Sequence, residues 1–179
     1  MKRLFLYLFL LTALQSQAQV LSGISTKWND TFGEWTLYTD NQELEGDLQL
    51  RWLTNNDWTE WEYRLGDATG TIRMKWKGNA NEWEVRGGND IVTMRTLYNN
   101  NFREWRITSS KTMTWKSRYG NNLDEWELDD SRLGNFTMLT AWEGNPGDWI
   151  IEDELDESIN LTTKMALVFL VVFNSSPKF

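Results

Sequence analysis

The chain has no cysteine and no histidine, and only two of its 179 residues are proline. The missing cysteines exclude disulfides, and also an N-terminal lipid anchor on a thioether. The missing histidines remove His-based triads, imidazole metal ligands and the commonest general base. Nucleotide-binding glycine loops and a G-x-S-x-G elbow are absent as well. With so few prolines and twelve glycines, no interdomain linker stands out. No enzyme chemistry is therefore expected, and no cofactor.

What is present begins with a targeting segment. Lys2 and Arg3 precede an apolar run from Leu4 to Leu14, broken only by Thr12. Ser16 and Ala18 then place small residues before a cut after Ala18. That is the order of a secretory signal peptide over 1–18, and the run is too short to span a bilayer, which takes about 20 residues. The expected product starts at Gln19 and lies in the periplasm or outside the cell. Loss of Lys2 and Arg3 leaves 16 basic against 26 acidic residues. So acidic a surface disfavours nucleic acid and anionic membranes as partners. Residues 19–24 read as a linker and 25–179 as one domain.

A repeat dominates that domain. Trp35, Trp61, Trp83, Trp105, Trp126 and Trp149 stand 21 to 26 residues apart, each directly after an acid. Upstream of each lies a second aromatic: Trp28, Trp52, Trp76, Tyr98, Trp115 and Trp142, at gaps of 7, 9, 7, 7, 11 and 7. Eleven of the twelve tryptophans fit this frame and Trp58 is left over. Around Gly78–Asn81, residues alternate apolar and charged on both sides, as half-buried strands do, across a turn-forming tetrad. Folding this unit on the aromatic pair sets Trp76 against Trp83, Lys77 against Glu82 and Lys75 against Glu84, with Arg73 facing Arg86. By the same rule Arg51 would oppose Glu62, and Lys116 would oppose Glu125. Each aromatic pair is expected on the buried face, beside the turns at one rim.

Six such hairpins give twelve strands between residues 25 and 154. A meander of that length should close to remove its edges. Met165–Phe173 is an uninterrupted apolar run, either a thirteenth strand or a helix buried on all sides. A twelve-stranded barrel has a wide lumen, so a helix over about 160–174 is favoured as its filling. The fold class expected is thus mainly β: a closed antiparallel twelve-stranded meander barrel around a central hydrophobic C-terminal helix.

In strand count, strand order and the greasy segment MALVFLVVF, residues 25–174 resemble the tubby-like barrel class, which includes LURP-one-related and scramblase-like proteins. That resemblance implies strands closed around a central helix. Tubby domains proper bind phosphoinositides through basic residues, and this acidic chain shows no matching site.

The functional expectations follow. The chain is expected to be an exported, non-enzymatic binding or structural module with a protein, lipid or glycan partner, and not an integral membrane protein. One alternative is a carrier of a lipid or other apolar ligand, and another is a carbohydrate-binding domain. The acidic clusters Asp124–Asp130 and Asp153–Glu157 lack the spacing of a calcium loop, so no metal is expected. The basic residues Arg73, Lys75, Lys77, Arg95, Arg106, Lys116 and Arg118 read as partners in cross-strand salt pairing rather than as an anion site. Trp58, in the turn NNDWTEW, is expected to be the exposed tryptophan and the candidate contact residue.

Overall fold

The computed structural model describes residues 19–178 except 30, 42–43, 56, 121 and 129. The proposed signal peptide lies outside the described residues. Twelve antiparallel strands run in sequence order: β1 Leu21–Thr26, β2 Glu34–Thr39, β3 Glu45–Leu50, β4 Glu60–Leu65, β5 Ala68–Trp76, β6 Asn79–Gly87, β7 Asp90–Thr96, β8 Glu104–Thr108, β9 Thr112–Tyr119, β10 Asn122–Leu128, β11 Gly134–Thr140 and β12 Asp148–Leu155. Each strand pairs with its sequence neighbours and β1 pairs with β12, so the barrel is closed. One correction concerns the segment 19–24 read as a linker, because β1 already begins at Leu21.

The apolar C-terminal segment is the helix α1, Leu161–Ser175. Closure decides this outcome physically. With β1 hydrogen-bonded to β12, no edge remains for a thirteenth strand. Inside the lumen only a helix satisfies its own backbone groups. The Asn160 side chain caps it, accepting from the Thr163 N–H at 2.9 Å. At the far end the Ser176 N–H donates to Val172 O, and Pro177 follows. Every residue from Thr162 to Phe173 is buried, so the helix has no solvent face. Phe169 packs edge-on to Trp61 and Trp83, with ring centroids 5.8 and 4.8 Å apart. Phe173 meets Trp83 at 4.6 Å. Phe169→Ala is expected to cost about 3–5 kcal/mol, seen as a lower urea midpoint at unchanged m-value.

The six marker tryptophans lie on the even-numbered strands, second in β2, β4, β8 and β12 and fifth in β6 and β10, pointing inward and at most 1% exposed. Each donates its indole N–H to the carbonyl three residues earlier. The acceptors are Phe32, Trp58, Ala80, Phe102, Leu123 and Pro146, at 2.8 to 3.2 Å. A large apolar ring is thereby buried without an orphaned donor, and the turn is pinned to the core.

The cross-strand register differs from expectation by two residues in every hairpin. The residues opposite the marker tryptophans are Thr26, Leu50, Met74, Thr96, Ser117 and Thr140. In the third hairpin the turn tightens around Lys77–Gly78, with Gly78 at φ 80°, and a bulge lets β6 gain residues on β5. A two-residue slip preserves which face each side chain takes. The alternation therefore holds while the charge partners change. Arg73 lies opposite Glu84 and bonds it at 2.9 Å, rather than facing Arg86. Gln49, not Arg51, opposes Glu62, and Lys116 opposes Glu127, not Glu125.

Candidate functional site

The register shift brings the second aromatic set to the surface. Trp28, Trp52, Trp76, Tyr98 and Trp142 do not face the marker tryptophans. They lie two residues past the opposing position, where the strand ends and the chain turns. Their exposure runs from 48% for Trp52 to 71% for Trp142, which corrects the expectation that they line the core. The fifth hairpin completes the set differently. Trp115 is fully buried and stacks on Trp126 at 6.0 Å. Tyr119, seven residues before Trp126 and two past Ser117, is 55% exposed. Each hairpin thus presents one exposed ring beside one buried ring.

The six links from odd to even strands all lie at one rim of the barrel. The exposed rings therefore form a circle there. Two strands separate each from the next, which sets them roughly 10 Å apart. Local bonds hold the arrangement. In four links the aromatic residue opens a turn, its carbonyl accepting from the N–H three residues on: Thr31, Asn55, Asn101 and Asn145. The acids before the marker tryptophans take part as well. The Trp52 indole donates to Glu60 at 3.2 Å and the Trp76 indole to Glu82 at 2.9 Å. Arg51 stands over the Trp52 ring at 5.4 Å and Lys75 over Trp76 at 6.0 Å. These contacts hold the two indoles in place while each stays exposed.

The two rims differ in charge and polarity. The six links at the aromatic rim carry four basic and three acidic residues and eight asparagines in sequence. The links at the other end, including 156–160, carry two basic and seven acidic residues. Among the links, the acidic excess thus lies at the end away from the rings. At the aromatic rim, hydrogen bonds from the Thr59 hydroxyl and N–H hold the Asp57 carboxyl below its ordinary value. At the acidic rim, Arg132 holds Asp130 down to about 2.

Trp58 occupies a different place from the one expected. It is half-buried, packed edge-on to Trp61 at 5.4 Å and near Phe173 at 6.5 Å. Its carbonyl accepts the Trp61 indole. It is the second hairpin's version of the residue three before the marker tryptophan, the position held by Phe32, Ala80, Phe102, Leu123 and Pro146 elsewhere. That spacing was readable, and it places Trp58 within the repeat as a rim wedge. The exposed tryptophans are Trp28, Trp52, Trp76 and Trp142.

Among the described residues no three metal-ligating side chains come together. Along β12 the acids divide by alternation: Glu152 and Glu154 face out, whereas Asp153 faces in. Asp153 Oδ2 accepts from Lys164 Nζ of the helix at 2.6 Å and from the Leu21 N–H at 3.0 Å. Lys164 Nζ also donates to Gln19 O at 3.1 Å. This buried pair ties the first strand, the last strand and the helix together at the barrel's seam.

No known protein family, curated protein or solved structure matches this chain. Among the described residues, no helix is long and apolar enough to cross a membrane.

Proposed function

We propose that the protein is an exported, non-enzymatic glycan-binding module whose contact surface is the aromatic rim. One observation carries this reading. Six hairpins each place a single exposed ring at the same register, while their marker tryptophans are buried. Rings needed only for stability would be buried too, because exposed apolar area contributes little to folding. A repeated exposed patch marks an interaction site.

The chemistry around the rings favours sugars over lipid. Flat aromatic faces stack on the C–H faces of sugar rings, and amide side chains bond the hydroxyls. The rim supplies both. An acyl-chain environment would have to bury the Glu60 and Glu82 carboxylates bonded beneath the indoles, at a large desolvation cost. The carrier alternative has less support, since the helix occupies the lumen.

The test is affinity electrophoresis through a panel of soluble polysaccharides, comparing the wild type with a W28A/W52A/W76A/W142A variant. The wild type should be retarded by at least one polysaccharide. The variant should run as it does without polysaccharide, with each substitution moving stability by about 0.5 kcal/mol or less, as exposed positions do. Equal retardation of both proteins, or none for either, would overturn the proposal.

A further inference from the structure

Between the third and fourth hairpins the aromatic rim opens into a cleft of about 210 Å³. Asn79, Asn81, Glu82, Arg95, Asn99 and Arg106 contribute to its lining. The exposed rings flank it. Trp76 bonds Glu82 on one side, and Tyr98 lies between two lining residues, Leu97 and Asn99, on the other. The Asn81 amide organises the floor. It donates to Asn79 and Asn100 and accepts from the Thr96 hydroxyl and the Asn100 N–H, at 2.6 to 3.1 Å.

The charge arrangement in this cleft is unlike the rest of the outer wall. Elsewhere, cross-strand neighbours bring opposite charges together, as in Arg73–Glu84, Arg64–Asp47 and Lys116–Glu127. Here Arg95 on β7 lies directly opposite Arg106 on β8. Like charges at such a position are destabilising. Arg95 reaches Glu82 at 3.3 Å, and that carboxylate also receives the Trp76 indole and lies 3.7 Å from Lys75. The Arg106 side chain makes no ion pair or hydrogen bond among the described residues, although Glu104 lies two residues away on the same strand. The cleft has one more guanidinium than its one acid satisfies, in the same lining as the Asn79, Asn81 and Asn99 amides.

We infer that this cleft seats an acidic sugar, a uronate unit of a polysaccharide, with its carboxylate on Arg106 and Arg95 and its ring beside Trp76 or Tyr98. The guanidinium fork matches a carboxylate in shape as well as charge. Asn79 and Asn99 supply amides for hydroxyls. The ligand's carboxylate would offset the Arg95–Arg106 repulsion. The chain as a whole is acidic, so long-range attraction does not bring this ligand in. Recognition is local and weakens as salt rises. This inference rests on the glycan reading of the rim and narrows it to one ligand class and one hairpin pair.

The experiment is titration calorimetry with galacturonate, mannuronate and hyaluronate oligosaccharides, each beside its carboxyl-reduced, neutral counterpart. At least one acidic oligomer should bind, and its neutral form should bind about tenfold more weakly or worse, as expected for loss of a charge-assisted contact. R106Q should weaken the acidic oligomer by a similar factor and leave the neutral form unchanged. It should fold at least as stably as the wild type, because it removes a like-charge contact. W76A/Y98A should weaken both forms. Equal binding of acidic and neutral forms, with W76A/Y98A still weakening both, would overturn the acidic-sugar assignment and leave the rim reading standing. Binding of none of these oligosaccharides would overturn the assignment, with the polysaccharide electrophoresis then judging the rim separately. Tighter binding of poly-glutamate than of any sugar would give the cleft to a protein partner and overturn the inference.

Discussion

Replacing either Lys164 or Asp153 by alanine is expected to destabilise the protein by about 3–5 kcal/mol, because each truncation leaves the other charge buried without its partner. The pair is almost wholly inaccessible, with side-chain exposures of 3% and 0%. Its other bonds reach Gln19 and Leu21, so the loss falls on the β1–β12 seam and on the first turn of the helix together. For a domain of this size that is a fall in Tm of roughly 6–20 °C, read by differential scanning calorimetry. The double variant D153L/K164M should recover most of the loss, since two apolar side chains of similar bulk carry no desolvation cost. A fall under about 1 kcal/mol for both single variants would mean that water reaches the pair and that the seam is looser than described.

Ending the chain after Ser158 is expected to abolish cooperative folding. The truncation removes twelve consecutive buried residues, Thr162 to Phe173. The inward rings of Trp61 and Trp83 would then face an open lumen in place of Phe169 and Phe173. A barrel of twelve strands is too wide for its own inward side chains to close that space. Near-UV circular dichroism and a urea titration followed by tryptophan fluorescence should show neither fixed aromatic packing nor a sharp transition. A truncated protein with a sharp transition near the wild-type midpoint would show that the strands are self-sufficient and the helix a passenger.

Much of this architecture is legible in the residues because two periodicities coincide. Alternation gives the strands, the repeat of Glu-Trp or Asp-Trp gives the hairpins, and a nine-residue apolar run with no membrane length must go inside. The registers are less legible. They depend on turns such as Tyr98–Arg103, where Asn100 takes φ 61°, and on the bulge before Trp76. Composition suggests such turns without fixing their length. A two-residue slip costs nothing in face assignment, yet it moves five aromatic residues from core to surface. Tyr119 is hidden for a related reason: Trp115, a larger ring nearby, fills the frame and is in fact core. Two features were readable but missed. Apolar residues three before each marker tryptophan place Trp58 in the repeat. The parity of Trp149, Ile151 and Asp153 turns that carboxylate inward, towards the single lysine of the helix. The cleft at Arg95 and Arg106 is set by the β7–β8 register, and both residues look like ordinary members of a salt-paired face until their opposition is known.

The most direct test of the rim as the working surface is to follow the indole N–H signals of ¹⁵N-labelled protein by NMR during titration with oligosaccharides of the polysaccharide that retards it. The signals of Trp28, Trp52, Trp76 and Trp142, or an adjacent subset of them, are expected to move with ligand. Those of the six marker tryptophans, whose N–H groups are bound to backbone carbonyls inside the barrel, should stay in place. Movement of the marker signals with the rim signals fixed would put the ligand in the lumen and contradict the account.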